Sequence, residues 1–138
     1  MHESVHRQSA EKVRQLGMFL LRRLKMVLVF RTDLKLTKGK TASQASHAAV
    51  MCFKKTFDCD SSLANKWLDI GQPKIVLKVS SFSDLENLQN SAKNAGIVSS
   101  LVIDAGRTHI LPGTATCLGL GPDYDEKIDA LVKELKLL

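Results

Sequence analysis

The chain has 138 residues, 44% hydrophobic and 25% charged, with a formal net charge of +6. That is enough for one domain with a real core, too little for two, and ordinary for a soluble globular protein rather than a disordered or fibrous one. No apolar run approaches the roughly 18–20 residues that span a bilayer, and three cysteines (Cys52, Cys59, Cys117) without a CxxC pair exclude a disulfide framework and a local zinc motif.

Residues 1–25 carry six Lys/Arg against Glu3 and Glu11. Val13, Leu16, Leu20 and Leu24 recur at helical spacing, so this stretch reads as a basic amphipathic extension, separable from the domain at 26–138. It has no small-residue cleavage site after a long apolar core, so it is not a secretory signal. Its Glu residues weigh against a mitochondrial presequence, and a helix docked on the domain is the preferred reading.

Residues 26–30, Met-Val-Leu-Val-Phe, form a continuous apolar run, the pattern of a strand buried on both faces. A helix follows over 41–57, with Ala42, Ala45, Ala49, Cys52 and Phe53 as its inward stripe. A shorter one over 62–70 carries Trp67. Gly71-Gln72-Pro73 breaks the chain before a second strand at 74–79. Residues 83–95 read as a helix with Leu85 and Leu88 inward, stopped by Gly96. Strands at 98–103 and 117–120 follow. Gly121-Pro122 then ends the last strand, and a helix from 123 to about 135 opens with Asp123, Asp125 and Glu126, where the helix dipole favours carboxylates.

This alternation predicts an α/β fold: one domain, with a four-stranded mixed sheet flanked by helices on both faces. The segment 104–116 is too short for a crossover helix, so the fourth strand is expected to run antiparallel to the third. Charge is uneven. Residues 31–78 hold nine basic and four acidic side chains, whereas 79–138 hold five and eight. A basic first half suits a polyanion such as RNA, although a solvated basic face is the plainer reading of charge alone.

Two stretches carry chemistry. In KLTKGKTASQASHAAV (residues 35–50), Gly39-Lys40-Thr41 looks like the end of a phosphate-binding P-loop. Leu34 stands where that loop needs its first Gly, so the nucleotide-binding reading fails. What remains is a helix whose first turns present Lys40, Gln44 and His47 on one stripe. An amine at a helix N-terminus suits an anion or a developing oxyanion. The second stretch runs from 104 to 116. Asp104 ends an apolar strand, Gly106 permits a tight turn, Arg107 and Thr108 project, and Pro112-Gly113 turns again before Thr114 and Thr116. An Asp bonded to N–H groups of its own turn is the plain alternative.

Taken together, LVFRTDLKLTKGKTASQASHAAV, GQPKIVLKV and DAGRTHILPGTATCLGLGP resemble the type 2 peptidyl-tRNA hydrolases of archaea and eukaryotes, over residues 26–138. The resemblance implies an esterase that frees tRNA from prematurely released peptides, with Lys40, Asp104 and Thr108 catalytic. It also implies a homodimer that needs no metal or other cofactor. His47 is a further candidate base, against a packing or orienting role. No Gly-x-Ser-x-Gly elbow is present, so a serine acyl-enzyme is not expected. Water oriented or deprotonated by Asp104, with Thr108 holding that water or the ribose, is the preferred nucleophile, and the Thr108 hydroxyl itself is the alternative. The substrate contacts expected are Arg31, Lys35, Lys38, Gln44, Arg107, Thr114 and Thr116. The partner is peptidyl-tRNA, held through phosphates, because the aromatic RNA-recognition motifs are absent. The competing class is a non-catalytic RNA-binding or adaptor domain. The cytoplasm is the expected compartment and the mitochondrion the alternative, with no membrane span.

Overall fold

The computed structural model describes residues 2–138, with the side chains of His2 and of residues 15–21 outside the description. Leu16 and Leu20 of the expected N-terminal stripe therefore lie outside the described side chains. Helix α1 spans His2–Leu21. Residues 3–14 are all exposed, so this part of the helix is not docked on the domain as expected. Leu24 belongs to the first strand instead, where it is buried.

The domain is built from β1 (Leu24–Arg31), α2 (Lys38–Cys59), α3 (Ser61–Asp69), β2 (Lys74–Val79) and α4 (Phe82–Asn94), then β3 (Ser99–Ile103), β4 (Ala115–Tyr124), α5 (Asp125–Val132) and β5 (Lys136–Leu137). A short 3-10 turn, Thr32–Leu34, joins β1 to the loop before α2. The described residues form one five-stranded sheet in the order β3-β4-β1-β2-β5. β1 and β2 are parallel, whereas β4 is antiparallel to both β1 and β3. The mixed sheet and the antiparallel fourth strand agree with expectation.

The expected count of four strands is corrected to five. The last helix ends at Val132, and Lys136–Leu137 pair antiparallel with Leu77 and Lys78. Two residues are too few to show an alternating pattern. Nor does β4 stop at Gly121-Pro122. Gly121 N–H donates to Val98 O, and pairing resumes at Asp123 with Lys25 and Tyr124 with Leu24. A register shift in β1 between Lys25 and Val27 accommodates the proline, which has no N–H to offer the ladder. Asp123 consequently ends in the strand, where its carboxylate accepts from Tyr124 N–H and Lys127.

The sheet is apolar on both faces, as the uninterrupted β1 run requires. One face packs Val27, Val29, Leu118 and Leu120 against Leu85 and Leu88 of α4 and Ile128 of α5. The other packs Met26, Leu28, Phe30 and Cys117 against Ala48 and Cys52 of α2 and Trp67 of α3. Gly119 sets the approach of α2, because a Cβ there would lie 2.5 Å from Cys52 Sγ and 3.2 Å from Ala48 O. Close contact at that point rotates the helix. Its buried line is Gln44, Ala48, Cys52 and Thr56, while Ala42, expected inside, is exposed.

Candidate active site

The parallel strands β1 and β3 both end at the edge of the sheet where α2 begins. Thr37 caps α2, its Oγ1 accepting from Lys40 N–H at 3.2 Å. This cap starts the helix at Lys38, three residues earlier than periodicity alone suggested, and places Lys40 in the first turn. Asp104 follows β3 directly. Its N–H donates to Thr114 O and its carbonyl accepts from Gly113 N–H, so the strand end is tied to the second turn. That turn is packed tightly on the first, since a Cβ on Gly106 (φ +82°) would stand 2.5 Å from Pro112 Cγ.

These supports bring the two sequence stretches together. Lys40 Nζ donates to Asp104 Oδ1 at 2.9 Å, with side-chain exposures of 13% and 2%. Gly106 N–H reaches the same oxygen at 3.4 Å, and Thr108 Oγ1 donates to Oδ2 at 3.0 Å. Thr108 Oγ1 in turn accepts from Ile110 N–H. The hydrogen bond from Lys40, helped by those from Thr108 and Gly106, holds the Asp104 carboxyl below the usual carboxylate range, against the opposing effect of burial. Asp104 is therefore a carboxylate at neutral pH.

Lys40, Asp104 and Thr108 line a cleft of about 690 Å³ together with Gln44, His47 and Arg107. Thr37, Ser43 and Ile103 complete much of its wall. Composition and motif reading had not singled these three out. Helical spacing could have pointed to Ser43, three residues after Lys40 and four before His47. His47 is exposed in the cleft, so the packing role expected for it is not what the structure shows.

The other expected contacts divide. Lys35, Lys38 and Arg107 are exposed, and Thr114 is half-buried. Arg31 lies outside the cleft and is held by a two-pronged contact to Asp33, at 2.8 and 2.7 Å, and by a bond to Ala115 O. Thr116 is fully buried. Its hydroxyl bonds Val102 O and accepts from Gln44 Nε2 at 2.8 Å, so it braces the cleft wall from behind rather than meeting a ligand. Gln44 is itself buried, yet forms part of the wall.

Comparison with known proteins decides the family. A family model described as Peptidyl-tRNA hydrolase PTH2 matches residues 24–138. The chain belongs to that family. The peptidyl-tRNA hydrolase of Thermoplasma acidophilum is 44% identical over 114 residues, covering 83% of this chain and 97% of that protein. That of Methanothermobacter thermautotrophicus is 46% identical over 115 residues, 83% of this chain and all (100%) of that protein. Mouse "Peptidyl-tRNA hydrolase 2, mitochondrial" is 48% identical over 113 residues, 82% of this chain but 62% of its own length. For this PTH2 member, the matched region begins with β1 and leaves α1 outside.

Proposed function

We propose that the protein hydrolyses the ester joining a peptide to tRNA in prematurely released peptidyl-tRNA, returning the tRNA to use. The observation that carries this reading is the Lys40–Asp104 pair, nearly sealed from water on the Asp side and opening to the cleft on the Lys side. An adaptor needs a basic surface but not a lysine fixed in this way by a buried carboxylate.

Ester hydrolysis requires an activated water, stabilisation of the carbonyl oxygen as it gains charge, and a proton for the ribose oxygen that leaves. Lys40 keeps one N–H on Asp104 and directs the rest of its ammonium to the cleft, where it stabilises the oxyanion. Asp104 is a poor base, because its carboxyl is held below the ordinary range and both oxygens are engaged. Its work is to hold the Lys40 amine in place and Thr108 oriented. Thr108 gives its hydroxyl hydrogen to Asp104, so its remaining lone pair faces the attacking water as an acceptor. His47, exposed in the same cleft, takes the proton from that water and passes it to the ribose oxygen.

Lys35, Lys38 and Arg107 hold the tRNA phosphates, and the reaction needs neither metal nor organic cofactor. The protein acts as a homodimer in the cytoplasm. The test is incubation with labelled N-blocked aminoacyl-tRNA, with and without EDTA. Released tRNA in both samples is the expected result. No release, or release only after zinc or magnesium is restored, overturns the corresponding part.

A further inference from the structure

β3 is an edge strand, and the direction of its main-chain groups follows from its hydrogen bonds. Val98 O accepts from Gly121 N–H, and Asp104 bonds Thr114 and Gly113 through both its N–H and its C=O. Even-numbered residues therefore face β4. Odd-numbered ones face outward, and Ser99 O agrees, being taken by Lys55 Nζ at 2.9 Å. Among the described residues no further strand pairs with this edge. The N–H and C=O groups of Leu101 and Ile103 thus point away from the sheet, and Ile103 is 49% exposed while also lining the cleft.

The edge has a wall beside it. Ser43 and His47 line the cleft on α2. Met51 and Lys55 continue that stripe at intervals of four residues, and Lys55 reaches across to Ser99. The His47–Met51–Lys55 stripe of α2 thus runs from the cleft alongside the outer edge of β3 as far as Ser99, where the lysine bonds the edge. Met51 is partly exposed, and a thioether adapts to side chains of many shapes.

We infer that the peptide part of the substrate docks as a short parallel strand on this open edge of β3. This rests on the proposed peptidyl-tRNA hydrolysis. The ester lies at the Asp104 end, so the peptide runs towards it in the same direction as β3. In parallel pairing one residue is bonded by the two residues that flank its partner. The penultimate residue of the peptide then lies beside Val102, its N–H donating to Leu101 O and its C=O accepting from Ile103 N–H. The last residue reaches into the cleft with its ester carbonyl towards Lys40. Recognition through main-chain groups is indifferent to side chains, as an enzyme needs when its substrates are interrupted at any codon. Lys55 blocks the next acceptor, so pairing stops after one residue.

The test compares kcat/KM for acetyl-aminoacyl-tRNA, an acetyl-dipeptidyl-tRNA, and the same dipeptide methylated on the penultimate nitrogen. An acetyl group supplies the C=O but not the N–H. Completing the penultimate residue should therefore raise kcat/KM by roughly two- to tenfold, the effect of one net hydrogen bond. Methylation should cancel that gain, and exchanging the penultimate side chain should change little. Equal rates for all three overturn the edge pairing and leave the hydrolase reading intact, whereas no cleavage of any of them overturns the hydrolase reading itself. A second measurement asks what covers the edge in the free protein. The Ile103 amide should exchange with deuterium quickly, and slow when a dipeptide amide-linked to 3′-amino-3′-deoxyadenosine is added. Protection that grows with protein concentration alone assigns the edge to a second copy of the chain and overturns the proposal.

Discussion

Lys40 and Asp104 stand 64 residues apart in the chain and 2.9 Å apart in the fold. Replacing either should separate chemistry from scaffolding. Asp104→Asn keeps the shape but removes the charge that holds the ammonium in place, and Lys40→Met removes the ammonium. Each should lower turnover by about 10²–10³, the usual cost of one preorganised electrostatic group, while tRNA binding and the circular dichroism spectrum persist. Near wild-type turnover in both variants sinks the site assignment.

The pH response of Asp104 has a definite sign. Its carboxyl is held below the ordinary carboxylate range, chiefly by the Lys40 hydrogen bond. A depressed carboxyl contributes stability that is fully present above the unfolded value and is lost as pH falls through the folded one. The difference in unfolding free energy between wild type and Asp104→Asn should be level from about pH 8 to 5 and shrink below about 4. Urea titrations at each pH measure it. A difference that already declines between pH 7 and 5 contradicts the assigned direction.

His47→Gln tests the proton acceptor. An exposed side chain contributes little to folding, within about 0.5 kcal/mol, so the melting temperature should hold while kcat falls by roughly 10² or more. Retained turnover removes His47 from the mechanism. A lowered melting temperature would restore the packing role.

Gly119→Ala probes the seat of α2. The added methyl would meet Cys52 Sγ at 2.5 Å, and overpacking of this kind costs about 1–3 kcal/mol. Because α2 carries Lys40, activity should drop along with stability. Pairing the change with Cys52→Ala, which vacates the space, should recover much of both. Failure of the double variant to recover would show that the Ala48 carbonyl, 3.2 Å away, limits the fit instead.

If tRNA is held by Lys35, Lys38 and Arg107, log K should fall linearly with log salt, with a slope near −0.9 for each phosphate neutralised. Lys38→Ala should reduce that slope by about one and weaken all tRNAs alike. Arg31→Ala should leave the slope unchanged, since Asp33 already occupies its charge. Fluorescence anisotropy over a salt series distinguishes these cases.

The sequence by itself determined the local elements and the residues worth suspecting. The apolar run of β1, the Gly71-Gln72-Pro73 break before β2 and the Gly96 stop after α4 are read within a few neighbours, because strand burial, turn geometry and helix capping act over that range. The motifs around Lys40 and Asp104 were legible for the same reason, and together they carried the family resemblance. Only the tertiary structure decided what those residues touch. Gly119 admits Ala48 and Cys52, which turns α2 so that Gln44 goes inside and Ala42 and His47 face out. β4 continues through Pro122 because its neighbours supply the pairing on either side. β5 exists because β2 offers it an edge. Thr116 is sealed behind the wall by Gln44, and the charge of Arg31 is met by Asp33. Burial and charge pairing depend on which distant segments meet, and two residues separated by 64 positions carry no local mark of being 2.9 Å apart.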